Sequence, residues 1–393
     1  MANPVQTFWR RVSDGIEIQQ LWAQFHAEAR ASYRLYSEEI QNTPQQGGPR
    51  PLRIIRRLFW AMMMKLSPGR RVLFLIALLC LASSSCSFRY EQNEVQMQGL
   101  AFLGGIALLI LLALELADRV MMKRDLEIAR EIQNWLMPAA PPVVPGVDIA
   151  FASRPANTVA GDYYDAFFRP AAGDSERTAP ERLLLVVADV VGKSVPAALL
   201  MATLQASLRT LAELPTSLQE LVERLNQYVC AQNVGGLRFT TAFLAELEPA
   251  TGRLTYVNAG HNWPVLRRSS GAIERLEIGG LPLGIMAEAR YECGTTSLAA
   301  SDLLLIFTDG LVEAEDQKEQ EFGELRMLGI LNAAFGKSAA DVLHQLMASV
   351  DAFVGLARPH DDITCMVLRT FNSGESTGPK RSRTAVATPR ATA

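Results

Sequence analysis

Asp189 closes the apolar run RLLLVVADV, Asp309 follows the run in SDLLLIFTDG, Asp361 opens DDITCMVLR, and Asp162 sits in GDYYD. A carboxylate at the rim of a buried sheet loses hydration and is costly unless a partner compensates it. Apart from Lys193, no Lys or Arg adjoins any of the four closely in sequence. A shared divalent cation is the simplest compensation. Oxygen donors without His or Cys select Mg2+ or Mn2+ over zinc or copper. Two such ions, about 3.5 to 4 Å apart, lower the pKa of a shared water and neutralise phosphoryl oxygens, so a phosphomonoester is hydrolysed in line without a protein nucleophile. No cysteine lies in a phosphate-cradling loop to serve instead. Gly161, Gly192 and Gly310 permit tight turns beside the acids. Lys193 and Ser194, entering the next helix, either bring a cation and backbone N–H groups to an incoming phosphate or are ordinary helix-entry residues.

The elements that must carry these groups alternate between strand-like and helix-like. RLLLVVADV reads as a buried strand, and GKSVPAALLMATLQASLRTLAEL as turn residues followed by a long apolar helix. TTAFLAELEPATGRLTYVNAGHNWPVLRR reads as two strands joined at Pro249 to Gly252, with a second turn from Asn258 to Asn262. Antiparallel hairpins with a few long helices point to an α+β sandwich. There is no GxGxxG after a strand and no P-loop, so a nucleotide-binding fold is not indicated. His261, in the second turn, reads as structural.

The formal charge of −3 conceals an asymmetry: residues 1–70 carry +5, residues 138–370 carry −10 and residues 371–393 carry +3. An acidic body is a poor nucleic-acid binder, because phosphate contacts need clustered cations. Five scattered cysteines without a CxxC give neither a zinc knuckle nor a disulfide framework.

Two runs without charge, 72–88 and 99–113, read as a transmembrane hairpin (71–117) with spans at about 72–88 and 99–116, each marginal against the roughly 20 apolar residues of a span. A pair of buried core helices is the alternative. Arg53, Arg56, Arg57, Lys65, Arg70 and Arg71 precede the first run, and Arg119, Lys123 and Arg124 follow the second, which places both ends in the cytoplasm. The stretch from Met64 to Cys86 also looks like a lipoprotein signal, but it lies far from Met1. Residues 5–41 have helical spacing within a cytoplasmic N-terminal region, 1–70. Val120 to Leu136 reads as a helix continuing from the second run, with Met122, Leu126, Ala129, Gln133 and Leu136 as a stripe for a homodimer seam or for packing on the next domain. Pro138, Pro141, Pro142 and Pro145 end it, so 118–146 is a linker, 147–370 a catalytic domain and 371–393 a disordered basic tail.

Six segments, GDYYDAF, VADVVGKSVPAALLMATLQASLR, RFTTAFLAELEPATGRLTYVNAGHNWPVLRR, GGLPLGI, LLLIFTDGLVEAED and HDDITCMVLR, resemble in sequence and order the SpoIIE-like branch of the PPM metal-dependent serine/threonine phosphatases. The resemblance covers about residues 126–370. It implies an α-β-β-α sandwich with a two-metal site at one end of its sheets. By position, Asp189 would bridge both ions, the backbone carbonyl of Val190 would bind one, Asp309 and Asp361 the other, and Asp162 would support the site directly or through a water. Asp165, Gly192, Lys193, Gly310 and Asp362 would stand beside the ligands or face the substrate. The usual family pattern has Gly-Gly-Asp and Gly-Asp-Val-Ser-Gly-Lys-Gly. Here Ala160, Ala188, Val191 and Ser194 replace small residues of those motifs. Better-known members place a His just after the bridging Asp, where this chain has Val191 and Gly192.

The resemblance further implies a membrane-anchored protein serine/threonine phosphatase with its catalytic domain in the cytoplasm. Its substrate would be a phosphorylated anti-anti-sigma (STAS-like) regulator in a partner-switching pathway. The helix at 120–136 would couple the upstream module to the metal site. A catalytically idle phosphoprotein-binding scaffold and a metal-dependent phosphoester hydrolase acting on a small molecule are the alternatives.

Overall fold

The computed structural model describes residues 63–64, 66–83, 88–90, 93–95, 98–171, 182–232, 238–357 and 359–371. The helical spacing at 5–41, Cys86 and the basic tail lie outside the described residues. The chain divides into two compact units, Met1–Met121 and Met122–Ala393.

In the first unit, helix α1 (Pro68–Ser83) and the first part of α2 (Gln98–Leu136) flank a small antiparallel pair, β1 (Phe88–Tyr90) and β2 (Asn93–Val95). Arg70 near the start of α1 reaches Glu115 (3.2 Å) and Asp118 (2.6 Å), while a Cβ on Gly104 would stand 2.9 Å from the carbonyl of Ala77. The two helices therefore run antiparallel, and Gly104 permits their close approach. Leu75, Leu79, Phe102, Leu109 and Leu112 remain exposed. The first helix differs from the apolar run that announced it. It starts earlier, at Pro68, and ends at Ser83, whereas Phe88 is already in a strand. Its 16 residues are about 24 Å long, short of the roughly 30 Å hydrocarbon core of a bilayer. Helix α2 holds a window long and apolar enough to cross a membrane, and it continues without a break to Leu136.

The second unit is built on two antiparallel sheets. The first has the order β10-β7-β6-β5-β4, with β11 also paired to β7; the second has the order β3-β13-β12-β8-β9. Their ranges are β3 (Val147–Arg154), β4 (Asp162–Arg169), β5 (Arg182–Val190), β6 (Thr240–Glu248), β7 (Arg253–Ala259), β8 (Val265–Arg267), β9 (Ile273–Arg275), β10 (Gly279–Gly280), β11 (Gly294–Ser297), β12 (Leu303–Phe307) and β13 (Ile363–Thr370). Only β10 runs parallel to its neighbour.

Side chains alternate between the two faces of a strand, and this alternation sorts the core into three layers. Leu184, Val186 and Ala188 of β5 pack with α3 (Val195–Ala212) and α4 (Leu218–Gln232) on the outer face of the first sheet. Leu183, Leu185 and Val187 pack between the sheets, against Leu304 and Ile306 of β12 and Met366 and Leu368 of β13. Leu305, Cys365 and Val367 face α5 (Glu324–Ala333) and α6 (Ala339–Val354) on the far side. The result is an α-β-β-α sandwich. Because β5 is covered on both faces, its sequence reads as a continuous apolar run. Helix α3 is also apolar enough to pass as a span, but Ala197, Met201, Leu204, Leu208 and Ala212 bury it in the outer layer as a core helix.

Asp165 has no role among the acids. Alternation puts it with Tyr163 on the α3 side of β4, where its buried carboxylate accepts two hydrogen bonds from Arg209 (both 2.8 Å), one from the Tyr163 hydroxyl (2.6 Å) and one from the Ala166 N–H. It clamps α3 onto the sheet, and the Arg209 guanidinium also lies over the Phe167 ring, 3.9 Å from its centroid. Removing Arg209 strands a fully buried carboxylate, so Arg209→Ala should destabilise the domain by about 3 kcal/mol in urea unfolding. Replacing Asp165 and Arg209 together by apolar residues should cost less than that.

Candidate metal centre

At one end of the sandwich both sheets stop together. Asp162 begins β4 and Asp189 lies one residue from the end of β5, and the two are direct partners in the antiparallel register. Asp189 continues the parity of Leu183, Leu185 and Val187, and Asp162 shares the face of Tyr164 and Ala166, so both carboxylates sit over the layer between the sheets. From the second sheet, Thr308 follows β12, Asp309 opens a one-turn 3-10 helix, and Asp361 and Asp362 precede β13. These acids are up to 200 residues apart along the chain and meet only because β12, β13, β4 and β5 end at the same rim.

Thr308, which sequence reasoning did not single out, holds the two sheets together here. Its hydroxyl donates to Asp162 Oδ2 (3.0 Å) and accepts from the Thr364 N–H (2.9 Å), and its own N–H donates to the Thr364 carbonyl (3.0 Å). A threonine just before Asp-Gly at a strand end was the available signal. Asp362 is a loop clamp, not a ligand. It accepts from the N–H groups of Ala156 (2.7 Å) and Gly161 (2.6 Å) and so fixes the segment that delivers Asp162. Lys193 Nζ lies 3.0 Å from Asp361 Oδ2 and also donates to the His360 carbonyl.

Two glycines are required by contact. A Cβ on Gly310 would stand 2.1 Å from the carbonyl oxygen of Asp362, and one on Gly161 would stand 3.1 Å from the carbonyl oxygen of Val190. Gly161 thus keeps open the space beside the expected backbone ligand. Gly192 has φ +119, and Ser194 has φ 68 and ψ −150, a region that side chains adopt only under strain.

Burial, and then the neighbouring Asp189, hold Asp162 well above the ordinary carboxylate range. Burial, followed by the charges of Asp309, Asp361 and Asp362, pushes Asp189 up to about 7. Asp309 and Asp362 are raised too, chiefly by burial, with Lys193 the cation that offsets part of the rise. Among the described residues no three acidic, His or Cys side chains close on a single point as the side chains stand. Several carboxylate oxygens are committed to protein partners, Thr308 on Asp162 and Lys193 on Asp361 among them. The donor set nonetheless suits a hard cation. It consists of carboxylates gathered at one rim, where the charges of Asp309, Asp361 and Asp362 add to burial in raising Asp189, beside a backbone carbonyl in a space that a side chain on Gly161 would crowd.

His261 lies behind the centre and not in it. Its ring is 4% exposed, Nδ1 is 3.0 Å from Thr241 Oγ1 and the backbone N–H donates to Asn258 Oδ1. Burial lowers its pKa to about 4, so the imidazole is a neutral strut between β6 and the turn after β7.

The fold is that of PP2C domains: the SiaA-PP2C domain of Pseudomonas aeruginosa superposes with a TM-score of 0.54 at 18% identity, covering 65% of this chain and 99% of that one. Residues 179–371 match the family described as stage II sporulation protein E. The phosphoserine phosphatase RsbU of Bacillus subtilis is 29% identical over 249 residues, covering 63% of this chain and 70% of RsbU. Protein IcfG of Synechocystis sp. is 26% identical over 311 residues, and the chain spans 45% of its length. Asp189, Asp309 and Asp361 fall inside the family match, while β3 and Asp162 precede it.

Two measurements check this account. An unfolded Asp ionises near 3.8 and folded Asp189 near 7, so the folded state holds the extra proton between those values and metal-free stability should fall as pH rises through that window. Thermal melts in chelator should show the fall, and millimolar Mn2+ at neutral pH should reverse it by binding only the folded form. Separately, Ser194→Gly should relieve the strained backbone and raise stability by about 1 kcal/mol, read as an increased Tm.

Proposed function

We propose that the chain is a membrane-anchored, metal-dependent protein serine/threonine phosphatase. The observation that carries this is the register pairing of Asp162 with Asp189 over the inter-sheet layer, with Asp309 and Asp361 brought to the same rim from the second sheet. Asp189, Asp162, Asp309, Asp361 and the Val190 carbonyl would hold a pair of divalent cations, Mn2+ or Mg2+. When bound, such ions supply a nucleophile from water and offset the charge of the phosphoryl oxygens. The remaining work falls to the protein. Thr308 and Asp362 fix the loops that carry the ligands. Lys193, half exposed beside Asp361, offers a cation at the open side where a phosphate arrives.

The match to RsbU, named a phosphoserine phosphatase, supports a phosphoserine or phosphothreonine substrate. The motif resemblance favours a STAS-like regulator of a partner-switching pathway as that substrate. Membrane attachment is supported by the exposed apolar surface of the α1–α2 hairpin and by Arg70, Arg71, Arg119, Lys123 and Arg124 at its ends, which orient the catalytic domain to the cytoplasm. Within the second unit, Gln133 of α2 is buried and forms a two-way bond with Ala160: its amide donates to the Ala160 carbonyl (2.7 Å) and accepts from the Ala160 N–H (3.0 Å). Ala160 is two residues from Asp162, so the linker helix is tied to the metal strand and regulates it. Ile128, Ile132 and Trp135 stay exposed on the same helix and suit a homodimer seam.

Mn2+-dependent phosphate release from a phosphoserine protein should be measurable. Asp189→Asn and Asp309→Asn should each reduce it by about 100-fold or more, since several kcal/mol of charge stabilisation is lost and each 1.4 kcal/mol is about tenfold. Metal-dependent release confined to small esters would point to the small-molecule hydrolase, and binding without release to the scaffold. Gln133→Ala in the full chain should shift its activity toward that of a form beginning at residue 147, which lacks the helix. Equal activity of the full chain and the truncated form would contradict regulation by the helix.

A further inference from the structure

A cleft of about 420 Å³ opens directly beside the acid rim, between the segment after β12, the end of β3 and the C-terminal end of α6. It shares Gly310 and Asp361 with the candidate metal centre, and its walls are formed largely by Ala314, Val350, Val354, Ala357 and Ile363. Among the described residues the polar groups on its rim already have partners: the Arg154 guanidinium forks onto Asp351, and His360 Nε2 lies 2.8 Å from Glu315 Oε2. An entering charged side chain would compete with a contact already made. The cleft is lined for carbon and sized for one or two large side chains.

We propose that this cleft is a subsite for an apolar side chain of the protein substrate, lying within two residues of the phosphoserine. Two features select that occupant. The first is continuity. A phosphate held by cations at Asp189, Asp309 and Asp361 would fix the chain that carries it at the mouth of the cleft, because Asp361 belongs to both. Side chains two apart on an extended peptide lie on one face at about 7 Å spacing, so a residue close to the phosphoserine can turn into an adjoining cleft. The second is the pairing of the rim charges, which leaves burial of carbon as the interaction on offer. The subsite rests on the phosphatase reading and adds to it. A small phosphoester would leave the cleft unused, whereas a phosphoprotein with an apolar neighbour would gain affinity there that its transition state retains.

The test uses the full chain in detergent micelles with Mn2+ and a set of alanine-based phosphoserine peptides, each bearing one Leu at the second or first position before or after the phosphoserine. One Leu position should raise kcat/KM by at least about tenfold over the all-alanine parent, the discrimination expected of a small apolar pocket. Asp at that position should abolish the gain. Ala357→Trp, which fills the cleft, should bring the Leu-to-Ala ratio to about one. Val354→Ala, a milder change that enlarges the cleft, should shift the preference from Leu toward Phe. Phosphate release from every peptide at the same rate overturns the subsite and leaves the phosphatase reading standing. A Leu preference that both variants leave unaltered places the selectivity elsewhere and also overturns it. Absence of metal-dependent release from any peptide or protein removes the phosphatase reading, and the subsite with it.

Discussion

The structure of the rim is governed by repulsion. Antiparallel pairing sets Asp162 opposite Asp189, and the second sheet adds Asp309, Asp361 and Asp362 to the same small volume. Burial, and then the like charges of Asp309, Asp361 and Asp362, push Asp189 up to about 7, and carboxylates so gathered cannot all ionise without a cation. Everything nearby is arranged to keep that arrangement from relaxing. Thr308 ties one sheet's acid to the other sheet's backbone, Asp362 gives its oxygens to two loop N–H groups, and Lys193 restrains Asp361. Three packed layers behind the rim stop the strands from sliding apart.

Such a site draws its stability from elsewhere. The outer layer under α3 and α4 carries the Asp165–Arg209 clamp, and on the same sheet the buried Arg169 bonds Glu246, which also receives Arg182. These pairs are directional and remote from the rim, although the Arg169 Nε is buried without a partner of its own. They fix the register of β4 on β5 and β6, and that register is what makes Asp162 meet Asp189. A one-residue slip of β4 on β5 would turn Asp162 to the face opposite Asp189.

Much of this was legible in the chain. The apolar run before Asp189 announces a strand covered on both faces, the run before Asp309 another, and the order of motifs from GDYYD to HDD announces the sandwich. The resemblance put Asp162 at the site and Asp165 beside it; the parity of β4 is what turns Asp165 away from the rim and onto α3. Asp362 was legible as a neighbour of a ligand but not as a clamp, since its partners, Ala156 and Gly161, are about 200 residues away. Thr308 was missed because a hydroxyl that bridges two sheets has no local signature. The end of α1 at Ser83 was missed for a different reason: hydropathy continues through Cys86 and Phe88, and backbone pairing of β1 with β2, not apolarity, sets where the chain is extended.

The contact at Gly310 bears on how relatives of this chain are judged. A methyl group there would collide with the carbonyl of Asp362, and the displacement would reach Asp309 on one side and Asp361 on the other. A protein could therefore keep every carboxylate and still be a pseudoenzyme, silenced by a single added carbon. Tallying acids is thus an insufficient test of competence in such domains, and the residue after the third aspartate has to be read along with them.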